Sequence, residues 1–281
     1  GPEANADSEG DLPAAGEIRL FLPSVMTDGS LAAADASAAE PLDAALALDA
    51  AAAEGASQVA SSQSVMGDFN GDGFSDLAVG VPYEDLISGG VNRVNAGAVN
   101  VIYGAAGGLN AANNQVWTQD SPGIAGVVGA GDLFGWALAA GDFNNDGRDD
   151  LAISAPYEDF SGIVDAGAVN VLYGTAAGLA AGGNQIWTQN TAGVLDVANA
   201  GDLFGLSLTA ADFNRNGRDD LAIGVPYEDV GAAANAGLVQ VLYGSVTGLN
   251  AAGNQAWMQG IGGILGGIAP NDLFGRTLAS G

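Results

Sequence analysis

Three short stretches hold the side chains best placed to do chemistry. In the middle one, Asp142, Asn144, Asp146 and Asp150 occupy positions 1, 3, 5 and 9 of a loop, with Gly147 at 6 and Arg148 at 7. Side-chain oxygens at this spacing, joined by the Arg148 backbone carbonyl, can surround one hard cation, and Gly147 permits the sharp turn that brings the ends together. Calcium, which takes about six to eight oxygens in flexible geometry, suits such a loop better than magnesium. The earlier copy offers Asp68, Asn70, Asp72, the Phe74 carbonyl and Asp76. The later copy offers Asp212, Asn214, Asn216, the Arg218 carbonyl and Asp220. Asn216 removes one negative charge, so the third of these sites is expected to bind more weakly. The loop is not an EF-hand, because position 12 is Val79, Ile153 or Ile223 where a bidentate Glu would be needed. Asp, Asn and Gly are also ordinary residues of a solvated turn. Three copies that share the ninth-position Asp favour the metal. Carboxylates gathered this closely repel one another, so bound calcium should add folding stability.

Other chemistry is narrowed by composition. The 281 residues include no Cys, His or Lys, which removes a disulfide framework, a thiol nucleophile, a histidine base and the usual zinc sites. Six Arg face 33 acidic residues, for a net charge of −27, which argues against nucleic acid and anionic membrane surfaces as partners. No apolar run is long enough for a membrane-spanning helix, so no membrane insertion is expected. Paired carboxylates follow each loop, at Glu84-Asp85, Glu158-Asp159 and Glu228-Asp229. They resemble an acid–base pair, but an active site is normally assembled once, so they read as solvated turn residues or as supports of the calcium loops. Trp117, Trp187 and Trp257 recur on expected strands and read as packing between repeats rather than a sugar-binding face. Tyr83, Tyr157 and Tyr227 likewise read as structural. A catalytic set is absent, and the chain is expected not to be an enzyme.

The elements that position the loops recur at a fixed period. GDLFG (131–135 and 201–205) and NDLFG (271–275) step by 70, as do AGAVNVIYG (96–104), AGAVNVLYG (166–174) and AGLVQVLYG (236–244). The acidic loop steps by 74 and then 70, the extra residues lying in a longer loop between Asp85 and Ala96. Each unit reads as four short strands, in the middle unit 133–141, 150–156, 167–174 and 184–189, bounded by Gly, Asn, Asp or Pro. Four strands per unit of this length match a propeller blade, and no helical stripe runs through a unit. The expected fold is therefore all-β, with tandem four-stranded blades of β-propeller type at about 58–131, 132–201 and 202–271 and an extra strand at 272–281. Residues 1–57 form a separate arm, with 31–56 a low-complexity linker and 18–25 a candidate docked strand.

Phe134-Gly135 followed by Ala155-Pro156, with the acidic loop between them, resembles the FG-GAP repeat, and Phe204-Gly205 with Val225-Pro226 restates it. This is the unit of the integrin alpha-subunit propeller and of many bacterial exported proteins. The resemblance spans about 58–281 and implies calcium-bound blades, an extracellular or cell-surface setting, and rings usually closed by seven units. Three acidic loops fall short of that number, and 58–67 lacks Phe-Gly. Three blades leave exposed edges that invite another chain. The expected function is an extracellular calcium-binding structural module that self-associates head to tail, through its terminal strands, into a filament or ring. The alternative is a cell-surface adhesion module, part of a longer propeller, that binds a protein or glycan ligand.

Overall fold

A computed structural model describes residues 63–280, so the expectations for residues 1–57, including the strand at 18–25 and the linker at 31–56, lie outside the described residues. Among the described residues there is no helix, and the strands form three sheets of four and one of two. The first sheet is β1 (Ser64–Gly67), β2 (Asp76–Val81), β5 (Ala98–Tyr103) and β6 (Asn110–Trp117). The second is β7 (Leu138–Gly141), β8 (Asp150–Ala155), β9 (Ala168–Thr175) and β10 (Gly178–Trp187). The third is β11 (Ser207–Ala211), β12 (Asp220–Val225), β13 (Leu238–Ser245) and β14 (Gly248–Trp257). In each, sequential strands pair antiparallel, so every sheet is a meander of one repeat, as the 70-residue period predicts.

Several boundaries differ from the sequence expectation. The first strand of the middle unit begins at Leu138 rather than 133, because Leu133 (φ 55°) and Gly135 (φ 90°) are left-handed and turn the chain before it extends. The fourth strand begins at Gly178, well before 184, with a register shift between Ala180 and Gln185 that absorbs the glycine-rich stretch. The longer loop after Asp85 is itself a hairpin, β3 (Leu86–Ser88) with β4 (Val91–Arg93), turning through Gly89 and Gly90 at positive φ.

The extra strand expected at 272–281 is not a strand over its described part. Leu273 and Phe274 dock as a turn, their N–H groups donating to the carbonyls of Asn235 and Ala236. Residues 278–280 lie beside β7 and β11 along a cavity of about 260 Å³ that β1 also lines. Among the described residues each first strand, β1, β7 and β11, pairs only with the second strand of its own sheet, and residues 276–280 have no such partner.

The strands belong where they are because their apolar residues fill the spaces between sheets. β8 and β12 are buried on both faces and read as near-continuous apolar runs. One core gathers Phe69, Val99, Val101, Phe134, Leu151 and Leu172, joining the first repeat to the second. Another gathers Phe143, Val169, Val171, Phe204, Leu221 and Leu242, joining the second to the third. Trp187 is buried in that core, and Trp117 and Trp257 pack against the cores of their own repeats, each indole N–H donating to a Gln two residues earlier.

Candidate metal centres and the seams between repeats

Each acidic loop links the first and second strands of its sheet, joining β1 to β2, β7 to β8 and β11 to β12. The loops hold themselves in shape through their own carboxylates. Asp68 accepts hydrogen bonds from the N–H groups of Gly71, Asp72 and Gly73, at 2.8, 3.0 and 2.9 Å. Asp142 accepts from Asp146 and Gly147, and Asp212 from Asn216 and Gly217. The ninth-position residues Asp76, Asp150 and Asp220 are fully buried. Each accepts from the N–H at the loop's second position (Phe69, Phe143 or Phe213) and from a glycine on the third strand (Gly104, Gly174 or Gly244).

The electrostatics of this arrangement disfavour charge on the buried carboxyls. Burial pushes the Asp150 carboxyl up to about 8, and the charges of Asp142 and Asp146 push the same way. Burial raises Asp76 too, with Asp72 and Asp68 adding to it, and raises Asp220 with Asp212 adding. The Asn144 Oδ1, at loop position 3, is buried and has no hydrogen-bond donor, an acceptor facing neither water nor protein. An oxygen-only set with one orphaned acceptor fits a hard cation. The three copies differ in readiness. Asn70 Oδ1 accepts from the Asp72 N–H, and Asp146 lies 3.6 Å from the Arg148 guanidinium. Among the described residues no three carboxylates converge on one point: Asp68, Asp72 and Asp76 of the first loop, and Asp142, Asp146 and Asp150 of the second, are not brought together as one cluster.

The loops also fasten neighbouring repeats, which sequence reasoning missed. Asp149 Oδ2 accepts from the Asp68 N–H at 2.8 Å while the Asp149 N–H donates to the Asp68 carbonyl at 3.1 Å. Asp219 and Asp142 repeat this reciprocal pair one seam later, at 3.0 and 3.1 Å. Beside each pair a phenylalanine plugs the next repeat: Phe69 and Phe143 are completely buried. Glycine is required beneath them, since a Cβ at Gly174 or Gly244 would lie 2.8 Å from the Phe69 or Phe143 carbonyl. Farther along, the Tyr103 hydroxyl accepts from the Leu179 N–H and Gln115 Nε2 donates to the Leu179 carbonyl. Tyr173, Gln185 and Leu249 repeat those bonds.

The paired carboxylates of PYED divide in two. Asp85, Asp159 and Asp229 are exposed and accept from the N–H groups of Asn95, Asp165 and Asn235, as turn residues do. Glu158 and Glu228 are buried, correcting the expectation of solvated turn residues, and each takes a hydrogen bond from a glutamine of the preceding repeat, Gln119 or Gln189. Tyr83 and Tyr157 flank Trp136 edge-on at 6.5 Å between ring centroids.

Comparison with known proteins agrees with this architecture. The FG-GAP repeat model matches residues 61–102, 134–172 and 204–242. The chain is 36% identical to rat phosphatidylinositol-glycan-specific phospholipase D over 114 residues, covering 41% of this chain and 13% of that protein. It is 30% identical over 191 residues to integrin alpha-PS2 of Drosophila melanogaster, covering 66% and 11%. It is 28% identical over 192 residues to chicken integrin alpha-V, covering 66% and 15%. The chain thus spans less than a fifth of the length of these relatives. Each matched segment runs through one acidic loop and into the third strand of one four-stranded sheet, and by these three repeats the chain belongs to the FG-GAP repeat proteins.

Proposed function

We propose that this chain is an exported, calcium-stabilised, non-catalytic structural module whose repeats associate head to tail with those of another copy. One observation carries the reading. Phe69 and Phe143 are fully buried in the following repeat, whereas Phe213, their counterpart in the third repeat, is 47% exposed. At the other end, the first repeat has an open apolar cavity of about 310 Å³ at the place where the second and third repeats receive a phenylalanine. It is lined by Met66, Phe74, Leu77, Gly104 and Leu109. The remaining seam contacts are split the same way. The Tyr243 hydroxyl donates to its own Gln255, and among the described residues neither side chain meets the backbone partner that Leu179 or Leu249 supplies at the internal seams. Gly108, in the left-handed region where Gly178 and Gly248 receive the tyrosine hydroxyl, has open space at its Cβ position, and Leu109 beside it is 52% exposed. The two end faces are halves of the seam that the chain builds twice internally. Such a contact is heterologous and propagates into a ring or a filament.

Calcium supports the reading because the acidic loop and the seam share residues: Asp68 and Asp142 begin a loop and also bind the next repeat's Asp149 or Asp219. A cation that fixes the loop therefore fixes the seam. The similarity to integrin alpha subunits, which are cell-surface proteins, supports an exported setting. The carboxylates recur repeat by repeat rather than forming one assembled centre, which supports a non-catalytic role. The test is sedimentation velocity and electron microscopy of the purified chain, with calcium and with EDTA. Calcium-dependent oligomers at micromolar concentration are expected, and discrete monomers throughout would overturn the assembly.

A further inference from the structure

Position 5 of each acidic loop is followed by glycine, giving Asp72-Gly73, Asp146-Gly147 and Asn216-Gly217. The three side chains are held alike. Each folds forward over the next peptide, its Oδ1 accepting from the N–H two residues on: Phe74 at 2.9 Å, Arg148 at 3.0 Å and Arg218 at 2.8 Å. The intervening glycine N–H donates to Oδ2 of the residue that opens the loop: Asp68 at 2.9 Å, Asp142 at 2.9 Å and Asp212 at 2.8 Å. Only the third copy carries an amide at this position. An amide carbon folded over a glycine nitrogen sets an electrophile beside a nucleophile, whereas the carbon of a carboxylate, already carrying charge, resists attack.

The third loop supplies what this attack requires. The Gly217 N–H must lose its proton, and it donates to a carboxylate oxygen within the reach of a general base. Negative charge develops on Asn216 Oδ1 as the tetrahedral centre forms, and the Arg218 N–H is aimed at that oxygen. Gly217, at φ 80°, has no side chain to cover its nitrogen, and a Cβ there would meet nothing nearer than Asn145 Nδ2 at 3.8 Å. Asn216 and Gly217 are both exposed, so water reaches the product. The first loop holds a second Asn–Gly pair, Asn70-Gly71, in a poorer setting. There the Gly71 N–H shares Asp68 Oδ1 with the Asp72 N–H, and the Asn70 amide nitrogen is tied to Asp72 Oδ2 at 3.1 Å. Asp212 divides its oxygens, Oδ1 accepting from Asn216 and Oδ2 from Gly217.

We propose that Asn216 is a self-deamidation site, at which the third loop makes its own missing carboxylate. The Gly217 nitrogen attacks Asn216 Cγ and passes its proton to Asp212 Oδ2. The new N–C bond closes a succinimide ring. The Cγ–Nδ2 bond breaks, and the leaving amide nitrogen takes up that proton and departs as ammonia. Solvent water then adds to one of the two imide carbonyls. Cleavage at Cγ leaves an aspartate at position 216, and cleavage at the backbone carbonyl carbon leaves an isoaspartate. The aspartate product matches the second loop, where Asp146 makes the corresponding bonds, so the loop keeps its shape. That the added carboxylate strengthens calcium binding rests on the calcium reading of the loops; the reaction itself does not.

The test follows the full chain without added metal at neutral pH, in water enriched in the heavy oxygen isotope, both folded and in urea. Peptide mass spectrometry, with a fragmentation that separates aspartate from isoaspartate, locates the heavy oxygen. In the folded chain it is expected to enter at 216 about tenfold faster than at 70, and about tenfold faster than at 216 in urea. Asp212→Asn is expected to remove this advantage from the folded chain and to leave the rate in urea unchanged. A folded-state rate at 216 no higher than the rate in urea would overturn the proposal, and that comparison needs no variant. So would a wild-type rate in folded Asp212→Asn. Calorimetry on the aged chain reads the consequence, the aspartate fraction being expected to bind calcium as Asn216→Asp does. Conversion without that gain would overturn the calcium reading and leave the reaction standing, so the two fail separately.

Discussion

Phe143 and Phe213 hold the same position in successive repeats but stand in two environments, and truncating each to Ala separates folding from association. Phe143 is completely buried against Leu221 and Leu242. Its truncation leaves a cavity inside a folded chain, at a cost of about 3–5 kcal/mol of stability. Phe213 is 47% exposed, so its removal takes little from the isolated chain. In an assembly, closing that exposure would remove about 100 Å² of apolar surface from water, worth about 2.5 kcal/mol. That corresponds to a head-to-tail dissociation constant roughly 60-fold weaker in Phe213→Ala. Urea denaturation at low protein concentration reads the first effect, and sedimentation velocity across a concentration series in calcium reads the second. The expected pattern is a large stability loss with Phe143→Ala, and a small one with Phe213→Ala together with a shift toward monomer. Equal destabilisation by the two variants, or an unchanged association constant in Phe213→Ala, would refute the matching of end face to internal seam.

Further consequences follow from the same residues. Removing calcium with EDTA should lower the melting temperature, because a single site held at 100 times its dissociation constant contributes about 2.7 kcal/mol; an unchanged melting temperature would count against the metal. Asn216→Asp restores the third loop's missing carboxylate and should raise its calcium affinity, read by calorimetry against wild type. Asp149→Ala removes a carboxylate that accepts the Asp68 N–H, a bond of the charge-assisted kind, and should cost about 1.5–3 kcal/mol; a loss under about 0.5 kcal/mol would show that the clamp is idle. Burial pushes the Glu158 carboxyl up from 4.5 to about 8, with the charge of Asp132 adding to it. The folded state therefore holds a proton that the unfolded chain releases near 4.5. The resulting stability is complete below pH 4.5 and is lost as pH rises through about 8. Glu158→Gln should flatten the fall in melting temperature across that window.

Much of this architecture is legible in the sequence because the repeats restate it. The acidic loop can be read because Asp and Asn at alternate positions, Gly at the sixth and Asp at the ninth recur in all three copies or nearly so, and the sheets because turn residues punctuate each strand at the same step. The seams were harder to read, since a seam joins residues of two different repeats and no local pattern marks it. Glu158 follows Pro156 and Tyr157 in a turn, where an acidic residue is ordinarily solvated; its burial comes from Gln119, 39 residues earlier in the preceding repeat. The available signal was recurrence: Gln119 with Gln189, and Asp132 with Asp202, return at the same step as the apolar residues, which a solvated surface has no reason to maintain.

Departures from the repeat carry the complementary information. Ser75 stands where Asp149 and Asp219 clamp the preceding loop, and Phe74 where Arg148 and Arg218 lie. The first repeat's open face therefore lacks the carboxylate half of the clamp while keeping the apolar cavity and the open glycine at 108. A partner seated there would gain the phenylalanine contact without the charge-assisted bond, so a seam between copies should be weaker than a seam within one. Ser75→Asp supplies the missing acceptor. It should tighten head-to-tail association by about tenfold, the equivalent of one hydrogen bond to a charged group, and leave the stability of the isolated chain almost unchanged. Sedimentation velocity on the single variant and on its combination with Phe213→Ala completes a double-mutant cycle. Because the clamp installed by Ser75→Asp and the Phe213 plug would act across one contact, their effects should fail to add. Strict additivity would place them on different surfaces and remove the basis for reading the ends of this chain as one divided seam.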